Sequence, residues 1–174
     1  THMMVQSISH TKAKLLDTRK TLPGHRFLDK WAVRLGGGEN HRMRLDDRYL
    51  VKENHIAVAG GIREAIKAVK AHKESNGLDQ ILVEVEVPDK AGLISVLAAN
   101  DEFGKVVDIV MLDNMSVSNM AKAVELNKGR VKLEASGNVS METLSAIAET
   151  GVDYISSGAI THSVQAMDLS MVIS

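Results

Sequence analysis

Five residues, Val83-Glu84-Val85-Glu86-Val87, constrain the fold more than any other stretch. A side-chain period of two puts both carboxylates on one face of a strand and the valines on the other. Parallel strands covered by helices on both faces read as nearly continuous apolar runs. Charge confined to one face therefore asks for a barrel, with valines outward under helices and a polar interior. Val131-Lys132-Leu133-Glu134-Ala135-Ser136 repeats the pattern, with Glu134 and Ser136 sharing a face.

Around these two segments, short apolar strands alternate with amphipathic helices. Strands are expected at 14–19, 49–52, 81–87, 107–113, 131–136 and 154–157. Helices are expected at 24–35, 62–73, 90–99, 116–126 and 141–150, with Ser140 as an N-cap and Gly77 and Gly151 closing helices. Strand–helix units in succession mean parallel strands joined by crossovers. The expected fold class is α/β, a six-stranded parallel, incomplete TIM-like α/β barrel over residues 13–174. Thr1-His2-Met3 reads as an expression scar, and residues 4–12 as the end of a preceding helix.

Composition narrows the function. A chain of 174 residues, 44% hydrophobic and 25% charged, fits one folded domain and excludes disorder. It has no run near the ~18 apolar residues of a membrane span, so no membrane partner is expected. The absence of cysteine excludes disulfides and thiolate zinc sites and agrees with a cytoplasmic location. An aromatic share of 3% argues against a base-stacking surface, so no nucleic-acid partner is expected. Charge is divided unevenly: residues 1–60 carry eleven Lys/Arg against six Asp/Glu, and residues 61–174 carry ten against sixteen. Either these are two solvated faces, or the front half grips anions while the back half holds hydroxyls or a metal.

Active sites of parallel α/β barrels sit at the C-terminal ends of the strands. Here those ends read Arg19-Lys20, Lys52 with Asn54-His55, Glu86, Asp113-Asn114, Ser136-Gly137-Asn138 and Ser157-Gly158-Ala159. Arg19, Lys20, His41, Arg42 and Lys52 suit a ligand with several negative groups. Glu84, Glu86, Asp113 and Glu134 suit sugar hydroxyls, or a magnesium ion shared with phosphate and water. Glu84 needs a partner if buried, with Lys20 and Lys132 as candidates. The two glycine turns after the last strands suit a phosphate. Gly36-Gly37-Gly38 reads as a pliant loop, and Met111, Met115 and Met120 as core. His41 and His55 lack the spacing of a zinc pair.

In order along the chain stand Asp17-Thr18-Arg19-Lys20-Thr21-Leu22-Pro23-Gly24, Gly36-Gly37-Gly38-Glu39-Asn40-His41-Arg42, Lys52-Glu53-Asn54-His55, Leu112-Asp113-Asn114-Met115, Leu133-Glu134-Ala135-Ser136-Gly137 and Gly158-Ala159-Ile160-Thr161-His162-Ser163. This series, from about Val5 to the end, resembles the C-terminal barrel of the quinolinate phosphoribosyltransferase (nicotinate-nucleotide pyrophosphorylase, carboxylating) family. The resemblance implies a glycosyltransferase of de novo NAD biosynthesis. It would join quinolinate to phosphoribosyl pyrophosphate with Mg²⁺, giving nicotinate mononucleotide, pyrophosphate and CO₂.

By position, Arg19, His41, Arg42 and Lys52 would hold quinolinate, and Lys20 would lie between it and the donor. Glu86 and Asp113 would meet ribose hydroxyls and, through water, the metal. Ser136, Gly137, Asn138, Gly158 and Ala159 would bind the 5′-phosphate. Asn138 stands where the family often has glycine, and Ser157 where it often has valine. The resemblance also implies a homodimer for full-length members, and an N-terminal α/β domain that is absent from this sequence, so weak turnover is expected. The alternatives are a related phosphoribosyltransferase with another acceptor, or a non-catalytic phosphate-binding barrel.

Overall fold

The computed structural model describes residues 1–173; residue 174, the end of the expected barrel segment, lies outside the described residues. Strands β1 (Lys14–Leu16), β2 (Tyr49–Val51), β3 (Val83–Val87), β4 (Ile109–Asp113), β5 (Lys132–Ser136) and β6 (Tyr154–Ser156) alternate with helices. The helices are α1 (His2–Ser7), α2 (Arg26–Leu35), α3 (Glu53–Ala59), α4 (Ile62–Asn76), α5 (Lys90–Phe103), α6 (Val117–Asn127) and α7 (Met141–Glu149). All pairings are parallel, in the order β1-β6-β5-β4-β3-β2. The sheet does not close: β1 and β2 are its two edges, as an incomplete TIM-like barrel requires.

Local chemistry explains most boundaries. Asp89 and Ser116 cap α5 and α6 by accepting the backbone N–H of Gly92 and Asn119, and Ser140 precedes α7 as expected. Gly77 ends α4 in the left-handed region, which glycine enters without a Cβ penalty. β1 stops at Leu16 rather than Arg19 because the chain turns to a different partner. Glu39 bridges Leu16 in parallel, and Asp17 N–H donates to the Glu39 carbonyl.

One expectation changes. Residues 53–59 follow β2 directly as α3, although Asn54-His55 reads as a strand end; His55 Nδ1 accepts the Lys52 backbone N–H at 3.0 Å and starts the helix. At Gly36-Gly37-Gly38, a Cβ on Gly38 would lie 2.9 Å from Val33 Cγ1. The close approach of this segment to α2 needs glycine. In addition, His2 and Met3 belong to α1, which packs on β1 and α7.

The valines of β3 and residues such as Leu93, Val96, Leu112, Leu133, Leu144 and Ile155 form the core between sheet and helices. Met111, Met115 and Met120 are buried. Helix α2 departs from simple amphipathic logic. It buries Lys30 and Val33, while Phe27, Trp31 and Leu35 are 71%, 55% and 72% exposed.

Candidate active site

The C-terminal ends of the six strands open on one cavity of about 720 Å³. From the front half, Arg19, Lys20, His41, Arg42 and Lys52 line it. From the back half, Glu86 and Asp113 line it, with Ser136, Gly137, Asn138, Gly158 and Ala159 on the turns beyond β5 and β6. All twelve sequence-expected residues thus meet around one space.

The cationic wall stands on a buried frame. Asp17 is fully buried, and its Oδ1 accepts from Lys30 Nζ and, at 2.9 Å, from the His41 backbone N–H. Lys30 Nζ also donates to the His41 carbonyl at 2.9 Å, and Asn40 Nδ2 donates to Asp17 Oδ2. Burial lowers the Lys30 pKa against the opposing pull of Asp17. Arg42 extends from this frame with Nη1 3.1 Å from the Arg48 carbonyl. Burial and the Arg19 charge lower its pKa, while guanidinium stays charged at physiological pH. Arg19 Nε is buried without a hydrogen-bond partner among the described residues. Crowded cations with spare donors favour an anionic ligand.

On the acidic side, Glu86 pairs with Lys52. Burial pushes the Glu86 carboxyl up, with Asp113 adding in the same direction, against the downward pull of Lys52. Two oxygen-donor carboxylates that repel across an open cavity fit a hard divalent cation; with Lys52 already on Glu86, water-mediated contact suits this pair best. The turn after β5 is tight. Gly137 has φ +97°, and a Cβ there would collide with Asn114, whose Oδ1 accepts from Asn138 Nδ2 at 3.1 Å. Asn138 itself has φ +50°, a region asparagine tolerates better than most residues.

Beneath the cavity lies a cluster that the sequence only half disclosed. Glu84 pairs with Arg48 Nη1 at 2.9 Å and His41 Nε2 at 3.0 Å, not with Lys20 or Lys132; Lys132 instead pairs with Asp153. Burial pushes the Glu84 carboxyl up, but the hydrogen bond from His41 and the charge of Arg48 outweigh it and hold it below the usual range. Glu134 is fully buried, and neither of its oxygens has a hydrogen-bond partner among the described residues. Burial and the Glu84 charge raise its pKa well above the ordinary value. Ligand atoms of His41, Glu84 and Glu134 lie within 4.8 Å of one another. Arg48 already supplies the positive charge there, so this is a poor place for a metal ion. Arg48 carried no sequence signal beyond being one of several basic residues in 42–48; only the path of that loop brings it to Glu84.

Fold and cavity together define an α/β-barrel protein shaped to hold a small ligand with several negative groups. The family model for the quinolinate phosphoribosyl transferase C-terminal domain matches residues 1–172. A quinolinate phosphoribosyltransferase [decarboxylating] of Nicotiana tabacum is 49% identical over 92% of this chain and 48% of its own length. A nicotinate-nucleotide pyrophosphorylase [carboxylating] of Mycobacterium leprae is 42% identical over 96% of this chain and 56% of its own. The solved nicotinate-nucleotide pyrophosphorylase of Francisella tularensis superposes with a TM-score of 0.88 at 48% identity, covering 97% of this chain and 56% of that one. The chain belongs to the quinolinate phosphoribosyltransferase family, to its C-terminal domain, and spans about half the length of the curated relatives it matches.

Proposed function

We propose that this chain carries the barrel site of a pentosyltransferase of NAD biosynthesis that joins quinolinate to phosphoribosyl pyrophosphate, giving nicotinate mononucleotide, pyrophosphate and CO₂. The observation that carries the reading is the sorting of charge around the cavity. Arg19, Lys20, Arg42 and Lys52 come from one side, and Glu86, Asp113 and two glycine turns from the other. In this reading Arg19, Arg42 and Lys52 hold the two carboxylates of quinolinate, and Lys20 reaches toward the donor. Glu86 and Asp113 meet ribose hydroxyls and, through water, Mg²⁺. Ser136, Gly137, Asn138, Gly158 and Ala159 cradle the 5′-phosphate.

The bond from the pyridine nitrogen to the anomeric carbon forms as the bond to pyrophosphate breaks. The carboxyl next to the nitrogen then leaves as CO₂, and its electron pair passes to the cationic ring carbon, which takes up a proton. The residues act by alignment and charge, and no general base is assigned. Glu86 and Asp113 would hold Mg²⁺ through water, and the ion, when bound, would supply positive charge against that developing on the pyrophosphate.

A cytoplasmic setting accords with the lack of cysteine, although relatives in plants carry mitochondrial and chloroplastic names. No helix among the described residues is long and apolar enough to cross a membrane. A homodimer is supported by the exposed stripe Phe27, Trp31 and Leu35 on α2, an apolar surface of the kind that marks an interaction face.

The test is release of CO₂ from carboxyl-labelled quinolinate at high protein concentration. Release that requires both phosphoribosyl pyrophosphate and Mg²⁺ is expected. Tighter binding of a monocarboxylic pyridine would point to another acceptor. Phosphate-ligand binding without CO₂ release would make the chain a binding barrel only.

A further inference from the structure

His41 sits at the cavity wall among the cations, yet all four of its polar groups are already engaged inside the protein. Its backbone N–H donates to Asp17 Oδ1 and its carbonyl accepts from Lys30 Nζ, both at 2.9 Å. Its ring is equally committed. The Arg42 backbone N–H lies 2.8 Å from Nδ1. A backbone amide can only donate, so Nδ1 is the acceptor. The single ring proton then sits on Nε2, which faces Glu84 Oε2 at 3.0 Å. Arg48 Nη1 has two hydrogens and contacts both Glu84 Oε2 at 2.9 Å and, more weakly, Nε2 at 3.4 Å; the closer Glu84 oxygen, with Glu134 Oε2 at 3.7 Å, favours the ring proton on Nε2. A second ring proton would set two donors, Nδ1–H and Arg42 N–H, against each other. The residue is 8% exposed, so little of it is free to meet a ligand.

We propose that His41 is a positioning residue, a strut from Glu84 to the Arg42 backbone that sets the Arg42 guanidinium over the cavity, and not a cation that grips a ligand carboxylate. Arg42 follows it directly in sequence, so the Nδ1 contact fixes where the Arg42 side chain departs. The positive charge met by a dianionic ligand then comes from Arg19, Lys20, Arg42 and Lys52. Arg48, the remaining cation of the cluster, is spent on Glu84.

The ligand-binding arm of the test rests on the proposed quinolinate site; the other two arms do not. Nitrogen-15 spectra of the histidine-labelled chain, with His41 assigned by H41N, are expected to show the Nε2–H tautomer both free and with quinolinate. Asparagine places Oδ1 near the former Nδ1, so H41N keeps the Arg42 amide protected from hydrogen exchange, whereas H41A exposes it. Quinolinate affinity is expected to stay within about threefold of the unaltered chain in H41N and to fall about tenfold in H41A, since a buried donor loses its acceptor. A doubly protonated ring in the quinolinate complex would overturn the proposal, as would equal losses of affinity in the two variants. If H41A fails to fold, the tautomer and the behaviour of H41N decide. If the unaltered chain binds no quinolinate, the proposed substrate falls, while the free-state tautomer and the Arg42 amide still support or overturn the strut.

Discussion

Two buried charged clusters flank the cavity, and they differ in how completely they are paired. Around Asp17 and Lys30, Asp17 receives Lys30, Asn40 and the His41 amide, and the His41 carbonyl takes a second Lys30 proton. Around Glu84, the contacts to Arg48 and His41 fall on Oε2, while Glu84 Oε1 and both Glu134 oxygens have no hydrogen-bond partner among the described residues. The first cluster is a closed frame that holds the chain at His41 and Arg42. The second is buried beneath the cavity, and three of its carboxylate oxygens lack a hydrogen-bond partner among the described residues. The pairing is saturated in the frame and incomplete in the second cluster, of which Glu134 borders the cavity and Glu84 lies beneath it.

The comparison breaks most easily at the frame. Lys30→Met strands the buried Asp17 charge and is expected to cost about 3–5 kcal/mol in urea unfolding; a loss under about 1 kcal/mol would show that the frame is not closed. Arg42→Ala is expected to weaken quinolinate binding ten- to hundredfold, about 1.5–3 kcal/mol, with little change in the unfolding midpoint. Unchanged affinity, measured by calorimetric titration, would remove Arg42 from the ligand wall.

Glu134→Gln sharpens the contrast through pH. With its carboxyl pushed well above the ordinary value by burial and Glu84, the folded chain keeps a proton that the unfolded chain releases near pH ~4.3. The stability this proton contributes is complete below that pH and is lost as pH rises toward the folded-state value. The glutamine variant is therefore expected to lose the decline and to gain about 1 kcal/mol near neutrality, because ionisation of this side chain no longer favours the unfolded chain. Identical pH slopes in variant and parent would sink this account of Glu134. Lys132→Met, at a pair whose lysine side chain is 60% exposed, is expected to shift stability by less than about 1 kcal/mol. A larger loss would mean that exposed pairs carry the barrel too.

Much of the fold was legible because its signals are local. The period-two alternation of residues 83–87, the Ser140 start of α7 and the Gly77 stop of α4 depend only on near neighbours. The site was legible for a related reason: parallel strands deliver their C-terminal ends to one side, so residues that succeed one another along the chain become neighbours in space. Helix α2 shows where this logic stops. Hydrophobic spacing favours Phe27, Trp31 and Leu35 as its inner face, yet the helix turns Lys30 inward. A fully paired ammonium on Asp17 can be buried, and no residue of α2 announces that partner. The partner of Glu84 was hidden in the same way, because Arg48 is 36 residues distant.

By itself the sequence determined the strand–helix alternation, the inward carboxylates and the glycine turns, since backbone sterics and side-chain period act over a few residues. Only the tertiary structure decided which charges cancel and which stay available. Pairing depends on loop paths that bring residues 17, 30, 41, 48, 84 and 134 within a few ångströms, and Coulomb and desolvation energies are set at that range.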